Sequence, residues 1–384
     1  MQRLPLRGWW TVVLVGAAAS TAGLLGVGRG SDAEADRIDR LIRQFGANTF
    51  ASREQASKDL VAIGEPALPA LGAAAASTDL EVHWRATHAI QAILLRAGQS
   101  KTLGMKLAAV AAGEFTMGSP KTEAGRRPDE AAHPVRITRP FLLGACEVTQ
   151  DEYQQVMKHN PSAFHANGAN KAKAAGHDTR HFPVETATWY DAVEFCNRLS
   201  KLDGYEPYYR LADAKHEDAA ITGAAVTIVG DNGYRLPTEA EWEFACRAGS
   251  AALFHFGDNT RSGLINCKPL RVSIGYGSSL KWPDLERPAV VSNYPANGLG
   301  LHEMHGNVAE WCWDWYEKDY YDRSPKDDPT GPQDGTHRVL RGGSWMISEG
   351  SCRSASRFFH LPGERKDYAG FRVARTPGPP ARRQ

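Results

Sequence analysis

Residues 305–311 read His-Gly-Asn-Val-Ala-Glu-Trp, and residues 341–345 read Arg-Gly-Gly-Ser-Trp. Both motifs lie in a long region after Gly98 in which short apolar runs are interrupted by Gly, Pro, Asn and Trp. Ten tryptophans in such a chain favour loops that pack around large aromatic anchors. The pattern predicts a loop-rich α+β domain with few long elements.

Two helices are predicted inside this domain. Residues 191–200 place apolar side chains at the spacing of one buried helix face. Thr238-x-x-Glu241 is a capping box that opens a second helix over residues 239–247, and Gly249 follows the end of that helix.

The two opening motifs belong to a longer series that runs in a fixed order. Its other members are Gly-Glu-Phe-Thr-Met-Gly-Ser at 113–119, Cys-Glu-Val-Thr-Gln at 146–150, Tyr-Arg-Leu-Pro-Thr-Glu-Ala-Glu-Trp-Glu at 234–243, Asn-Gly-Leu-Gly-Leu at 297–301 and Gly-Phe-Arg-Val at 370–373. The ordered set, over residues 104–376, resembles the formylglycine-generating enzyme, or sulfatase-modifying factor, family. The resemblance implies a loop-rich relative of the C-type-lectin fold, often stabilised by calcium.

Residues 36–98 have a different character, because their apolar residues recur at helical spacing. Ile38, Leu41 and Phe45 share one helix face. A second helix is predicted to open at the capping box Ser52-x-x-Gln55, and others follow after short turns. This region looks like a short stack of HEAT-type helical repeats.

The N-terminal segment predicts that the protein is exported. Residues 1–31 contain Arg3 and Arg7 followed by an uncharged apolar run, which is typical of a signal peptide or, if uncleaved, of a membrane anchor. We therefore expect a periplasmic, cell-surface or secreted protein that touches the membrane only through this segment. Residues 377–384 are predicted to be a disordered tail.

The net charge of +1 argues against nucleic-acid binding.

The resemblance also implies a copper site, and the sequence departs from it. The family's oxidases hold Cu(I) with two cysteines after the Gly-Gly-Ser motif, because this soft ion prefers thiolate ligands. In this chain those positions are Ile347 and Cys352. Copper binding is therefore not expected, since isoleucine cannot ligate a metal. Cys352 is the candidate catalytic residue as a lone reactive thiol activated by Arg353 and Arg357; the alternatives are a disulfide, for example with Cys312, and a buried inert thiol.

Calcium is the ion that the resemblance favours. Carried over onto this chain, the family's site uses the carboxylates of Glu303 and Glu310 and the carbonyls of Gly306 and Val308, with a second site at Asn266. Hard oxygen donors of this kind suit Ca²⁺. The alternative for the same residues is a hydrogen-bonded cluster without metal.

A ligand groove is expected next to the Gly-Gly-Ser motif. Ser344, Trp345, Arg353 and Arg357 are its candidate lining residues, since arginine and tryptophan can hold an extended peptide or an anionic group. The leading interpretation is an exported, calcium-stabilised binding module for a protein or peptide ligand, which could be an exported sulfatase. The alternatives are a formylglycine-generating oxidase and a non-haem iron oxidoreductase.

Overall fold

The computed structural model describes residues 28–258, 264–269 and 284–378. Most of the predicted signal peptide or anchor and most of the predicted tail therefore lie outside the described residues. Within the described ranges, no helix is long and apolar enough to cross a membrane.

From Gly28 onward, the N-terminal region contains four α-helices. They are α1 (Gly28–Arg43), α2 (Phe50–Ile63), α3 (Leu68–Ala75) and α4 (Leu80–Ala97). The predicted capping box at Ser52 is wrong, because the side chain of Thr49 caps α2 by accepting the Ser52 N–H. Gly64 ends that helix with a φ of +80°, which favours glycine. An N-terminal helical region is thus confirmed, and its assignment as HEAT repeats stays a prediction.

The helical region is packed onto the rest of the molecule. Leu71 of α3 and Ile93 of α4 belong to the same buried apolar cluster as Trp189 and Trp311 of the larger domain. An ion pair supports this contact, since both terminal nitrogens of Arg375 lie 2.8 Å from the carboxylate of Glu65. The two regions therefore share one continuous core.

Among the described residues, the larger domain has four further α-helices. They are α5 (Gln150–Met157), α6 (Lys171–Ala174), α7 (Trp189–Asp203) and α8 (Glu239–Arg247). The helix predicted over residues 191–200 is confirmed within α7. The predicted Thr238–Glu241 capping box is confirmed as the start of α8.

Twelve strands are present in the described part of this domain. They are β1 (Leu107–Val110), β2 (Gly113–Met117), β3 (His133–Ile137), β4 (Phe141–Gly144), β5 (Tyr209–Glu217), β6 (Ala220–Ile228), β7 (Tyr234–Arg235), β8 (Ala309–Trp315), β9 (Arg338–Arg341), β10 (Phe358–His360), β11 (Ala369–Gly370) and β12 (Ala374–Arg375). One four-stranded sheet has the order β1-β4-β12-β7, and a second has the order β10-β9-β8-β11. Strand pairs β2–β3 and β5–β6 form two-stranded ribbons. This architecture is the α+β, loop-rich fold that the sequence predicts.

The second sheet positions the residues of interest. Strands β8, β9 and β10 pair antiparallel, whereas β11 lies parallel to β8. The register places Leu340 opposite both Phe358 and Trp311, so these three side chains share one face of the sheet. The Gly-Gly-Ser motif follows directly after β9.

Candidate functional site

A groove with a volume of about 330 Å³ lies on this face of the sheet. Its lining residues are Arg127, Ala309, Leu340, Gly343, Ser344, Met346, Ile347, Phe358, Phe359, His360 and Tyr368. Most of this surface is apolar. Ile347 lines the groove at the position where the family resemblance places a copper cysteine, so hydrocarbon replaces the expected sulfur.

The rim of the groove exposes large apolar side chains to solvent. Met346 and Phe359 are each 40% exposed, and the neighbouring Leu361 is 45% exposed. Phe359 is held in place by stacking on Tyr316, with 3.9 Å between the ring centroids. A contiguous apolar patch at a concave site is typical of a ligand-binding surface.

Two polar features mark one side of the groove. The guanidinium of Arg127 lies 5.1 Å above the ring of Phe358 and donates to the carbonyl of Arg357. His360 Nε2 lies 2.8 Å from the hydroxyl of Tyr368, and burial lowers the pKa of this histidine. A guanidinium has five N–H donors, so Arg127 retains donors for an acidic group on a ligand.

Cys352 lies behind the groove wall and is fully buried. Its Sγ is 3.7 Å from the carbonyl oxygen of Ser348, and it packs so closely on Gly343 that a Cβ there would lie 2.6 Å from the sulfur. A hydrogen bond with the thiol of Cys267, together with burial, raises the pKa of Cys352 well above its ordinary value. A buried thiol with a raised pKa is a poor nucleophile.

The arginines that the sequence placed in the groove are buried beneath it instead. Both oxygens of Glu239 accept from Arg357, at 2.8 and 2.9 Å. Arg353 is bound in the same bidentate way by Glu130, at 2.8 and 2.9 Å, and also contacts Glu123. These guanidinium groups therefore neither line the groove nor activate Cys352, because their donors are engaged by carboxylates.

Of the other two residues that the sequence predicts in the groove, one lines it and one does not. Ser344 lines the groove, as the sequence predicts. Trp345 turns away and packs edge-on against Phe164, with 5.4 Å between ring centroids. Its indole N–H donates to the carbonyl of Asp367 at 3.3 Å. The two residues lie in a turn, in which the N–H of Ile347 donates to the carbonyl of Ser344 at 3.2 Å, and the turn directs their side chains apart.

Glu310 is engaged in an ion pair, which does not fit its predicted role as a calcium ligand. Both of its oxygens lie 2.6 Å from nitrogens of Arg372, and one also accepts from Trp242 Nε1 at 2.7 Å. Burial is the largest single effect on the pKa of Arg372 and lowers it. The ion pair and hydrogen bonds with Glu310 oppose this effect, and the pKa of Arg372 is raised above its ordinary value. A bidentate guanidinium occupies the positions that a cation would need.

The remaining predicted calcium ligands are brought close together. Asn266 pairs with Gly306 as an isolated bridge, and the carboxylate of Glu303 accepts backbone N–H groups of residues 292 and 294. The N–H of Val308 donates to Glu147, a fully buried carboxylate that the sequence analysis missed. Burial and the nearby Glu303 and Glu310 raise the pKa of Glu147 well above its ordinary value.

The iron alternative has no support in the described part of the chain. His302 Nδ1 contacts the carbonyl of Tyr294, and His305 Nδ1 contacts the carbonyl of Cys352, each at 2.8 Å. Burial lowers the pKa of His305 to about 3. Across the described ranges there is no group of three or more His, Cys, Asp or Glu residues placed to hold a metal ion.

Sequence reasoning also missed the aromatic lining and the partner of Cys352. Phe358 and Phe359 lie in a short strand with no motif, and Cys267 is remote from Cys352 along the chain. The even number of cysteines was the only signal for a cysteine pair, and it could not rank the pairings.

Comparison with known proteins places the chain among relatives of several kinds. It is 34% identical to the chaperone protein LppX of Paenibacillus barcinonensis, over 54% of this chain and 70% of that protein. It is 30% identical to the formylglycine-generating enzyme of Thermomonospora curvata, over 71% of this chain and 93% of that enzyme. Several further relatives are matched over less than half of their own length.

A solved structure and a family model agree with these relatives. Treponema denticola variable protein 1 superposes with a TM-score of 0.55 at 30% identity, covering 73% of this chain and 98% of that one. The model of the sulfatase-modifying factor enzyme 1-like domain matches residues 96–377. With the ordered motifs and the fold in agreement, the chain belongs to the sulfatase-modifying factor family.

Proposed function

We propose that this protein is an exported binding module that takes an extended apolar peptide segment of a partner protein in the groove on β8, β9 and β10. The observation that carries the proposal is Ile347, which adds an apolar wall where the family resemblance implies a metal-binding thiol. A side chain without lone pairs can support packing and cannot support copper chemistry.

The proposed ligand follows from the groove surface. Apolar contact with Met346, Ile347 and Phe359 favours aliphatic or aromatic side chains, since their burial removes apolar area from water on both partners. The free donors of Arg127 favour an acidic residue at that end of the segment. The proposed partner is thus an apolar stretch next to an aspartate or glutamate.

The test uses two fluorescein-labelled hexapeptides that share an Ile-Val-Phe-rich sequence and end in Asp or Lys. Fluorescence anisotropy should show saturable binding, with the Asp peptide bound more tightly. Met346→Asp should weaken binding by about tenfold, because it puts a charge into the apolar wall. The matched control is Leu202→Asp, which changes a 53% exposed leucine outside the groove lining.

Absence of saturable binding for both peptides, or equal loss in both variants, would contradict the proposal. Arg127→Ala should remove the preference for the Asp peptide without abolishing binding. Loss of all peptide binding in that variant would show that the charge of Arg127, and not apolar contact, provides most of the binding free energy.

The oxidase is the second candidate, because one relative that matches over most of its length is named a formylglycine-generating enzyme. The same purified protein is offered a sulfatase-type cysteine peptide with copper and oxygen, and the mass of the peptide is followed. Unchanged peptide is expected for the natural chain. Turnover that disappears in Cys352→Ser would replace the binding module with the oxidase.

Calcium stays a prediction for Glu303 and the carbonyls of Gly306 and Val308, without Glu310. Comparing the Tm in excess calcium and in EDTA tests it, since an ion that binds only the folded state raises the Tm. A Tm that is equal in both conditions would leave the hydrogen-bonded cluster as the account of these residues.

A further inference from the structure

The thiols of Cys267 and Cys352 lie together in a small buried cluster behind the groove wall. Cys267 is 2% exposed and Cys352 is fully buried, and both pack with Ile347, Ile265 and Phe254. All six cysteines are present as free thiols in the structure. Within this cluster the Cys267 side chain is close enough to Cys352 to be the first cause of the raised pKa of that thiol.

Backbone contacts hold both cysteines in this arrangement. The N–H of Lys268, next to Cys267, donates to the carbonyl of Ile347 at 2.8 Å, and Lys268 pairs with Ser348 as an isolated bridge. On the other side of Cys267, the carbonyl of Asn266 accepts the N–H of Asn307 at 2.8 Å. The segment that carries Cys267 is thus fastened to two neighbouring segments.

The position of Cys352 is fixed in the same way. Its N–H donates to the carbonyl of Glu349 at 2.8 Å, and its carbonyl accepts from His305 Nδ1 at 2.8 Å. The side chain is also closely packed against Gly343, where a Cβ would lie only 2.6 Å from the sulfur. The meeting of the two thiols therefore follows from fixed backbone on both sides.

The other cysteines have different neighbours. Cys246 Sγ lies 3.7 Å from His305 Nε2 and from the carbonyl of Met304. Cys312, the partner that the sequence suggested for Cys352, directs its Sγ to the carbonyl of Glu310 at 3.9 Å. The contact with Cys267 makes Cys267, and not Cys312, the neighbour available to Cys352.

We propose that Cys267 and Cys352 are a disulfide-forming pair, and that their bond tethers the Asn266–Lys268 segment to the rear wall of the peptide groove. The oxidant is a small-molecule or protein disulfide. A thiolate of one cysteine attacks that disulfide, forms a mixed disulfide and releases one thiol. The second cysteine, as thiolate, attacks the mixed disulfide at the first cysteine's sulfur and releases the other thiol.

The balance is two protein thiols plus one external disulfide, giving one protein disulfide and two external thiols. Burial of both sulfurs places this exchange during folding, before the wall closes over the pair. Once formed, the bond is protected from reductants by the same burial. It gives Cys352 a structural role that requires no reactive thiol at the groove.

The full chain is denatured, reduced and refolded in a buffer of oxidised and reduced glutathione, and remaining thiols are then alkylated in denaturant. Non-reducing peptide mapping should find a Cys267–Cys352 linked peptide. Alkylation of both cysteines, or linkage of either one to a different cysteine, would overturn the proposal. Mapping of the natural chain needs no variant, so a folding failure in a variant does not affect it.

Thermal unfolding gives a second readout. The oxidised natural chain should melt at least about 5 °C above the reduced chain, because the bond constrains the unfolded ensemble. This redox difference should vanish in Cys267→Ala/Cys352→Ala and persist in Cys196→Ala, a control at another buried cysteine. A redox difference that survives in the double variant would also overturn the proposal. Peptide binding is measured separately, so failure of the groove proposal is distinguishable from failure of this one.

Discussion

The groove and the layer directly beneath it are built from opposite kinds of side chain. The groove exposes Met346 and Phe359 to solvent, whereas Arg341 and Arg372 beneath it are fully buried in ion pairs with glutamates. Most proteins place apolar groups inside and charges outside. The charged layer thus holds irregular loops in position beneath an exposed apolar surface.

Buried ion pairs suit a domain with short strands and many loops. Each guanidinium donates to several carbonyls as well as to a carboxylate; Arg341, for example, contacts the carbonyls of Ala355 and Ser356 in addition to Glu243. Loop carbonyls that have no strand partner are satisfied in this way. The pairs thus replace the hydrogen bonds that longer sheets would provide.

The largest expected effect comes from breaking one buried pair. Arg372→Met should lower the free energy of unfolding by roughly 3–5 kcal/mol, because Glu310 is left as a buried charge without its partner. Urea unfolding measures the change. The double variant Arg372→Met/Glu310→Met should regain much of the loss, since no unpaired charge remains. A single variant within about 1 kcal/mol of the natural chain would refute the structural role of this layer.

Glu185 tests what happens to a buried carboxylate held by backbone N–H groups instead of arginine. It accepts from the N–H groups of Ala163 and Phe164, and burial raises its pKa to about 7. A raised carboxyl pKa means that the folded chain binds the proton more tightly. Its contribution to stability is therefore present below about pH 4.5 and is lost as the pH rises to about 7.

The expected size of this loss is roughly 3 kcal/mol between those pH values. Glu185→Gln should remove it, so the difference in unfolding free energy between the natural chain and the variant should change across this window and level off above it. Equal pH dependence in both proteins would show that Glu185 titrates normally.

Gly343 lies at the boundary between groove and charged layer. Its φ is +77°, and a Cβ would lie 2.6 Å from Cys352 Sγ and 3.0 Å from the side chain of Ile347. Gly343→Ala should cost about 1–3 kcal/mol through strain and displacement of the sulfur. Gly350→Ala is the matched control, because nothing lies within 4 Å of its Cβ position. A cost that is equal in both variants would show that the boundary is not tightly packed.

The smallest effect is expected for an exposed pair of the same chemistry. Arg136 contacts Asp327 with both side chains nearly half exposed. Arg136→Ala should change the unfolding free energy far less than Arg372→Met does, because water competes for both charges. A loss as large as that of Arg372→Met would show that burial is not what distinguishes the two pairs.

Helix caps show both the success and the failure of prediction from local sequence. The capping box of Thr238 and Glu241 needs only four consecutive residues, so the sequence was sufficient. The cap of α2 was misassigned to Ser52, because Thr49, three residues earlier, has a side chain that can do the same. Alternatives this close in sequence and chemistry are decided by how the helix packs.

The family, the loop-rich α+β fold and the isoleucine at a copper position of the family could all be predicted from the sequence, since each depends on the identity of residues at known positions. The burial of Arg353 and Arg357, and the shared cluster of Cys352 and Cys267, became visible only in the folded structure. Burial and pairing depend on segments that are distant along the chain and come together only in the folded domain. The chemical nature of a residue can therefore be read from the sequence, whereas the residue that it contacts in the folded protein cannot.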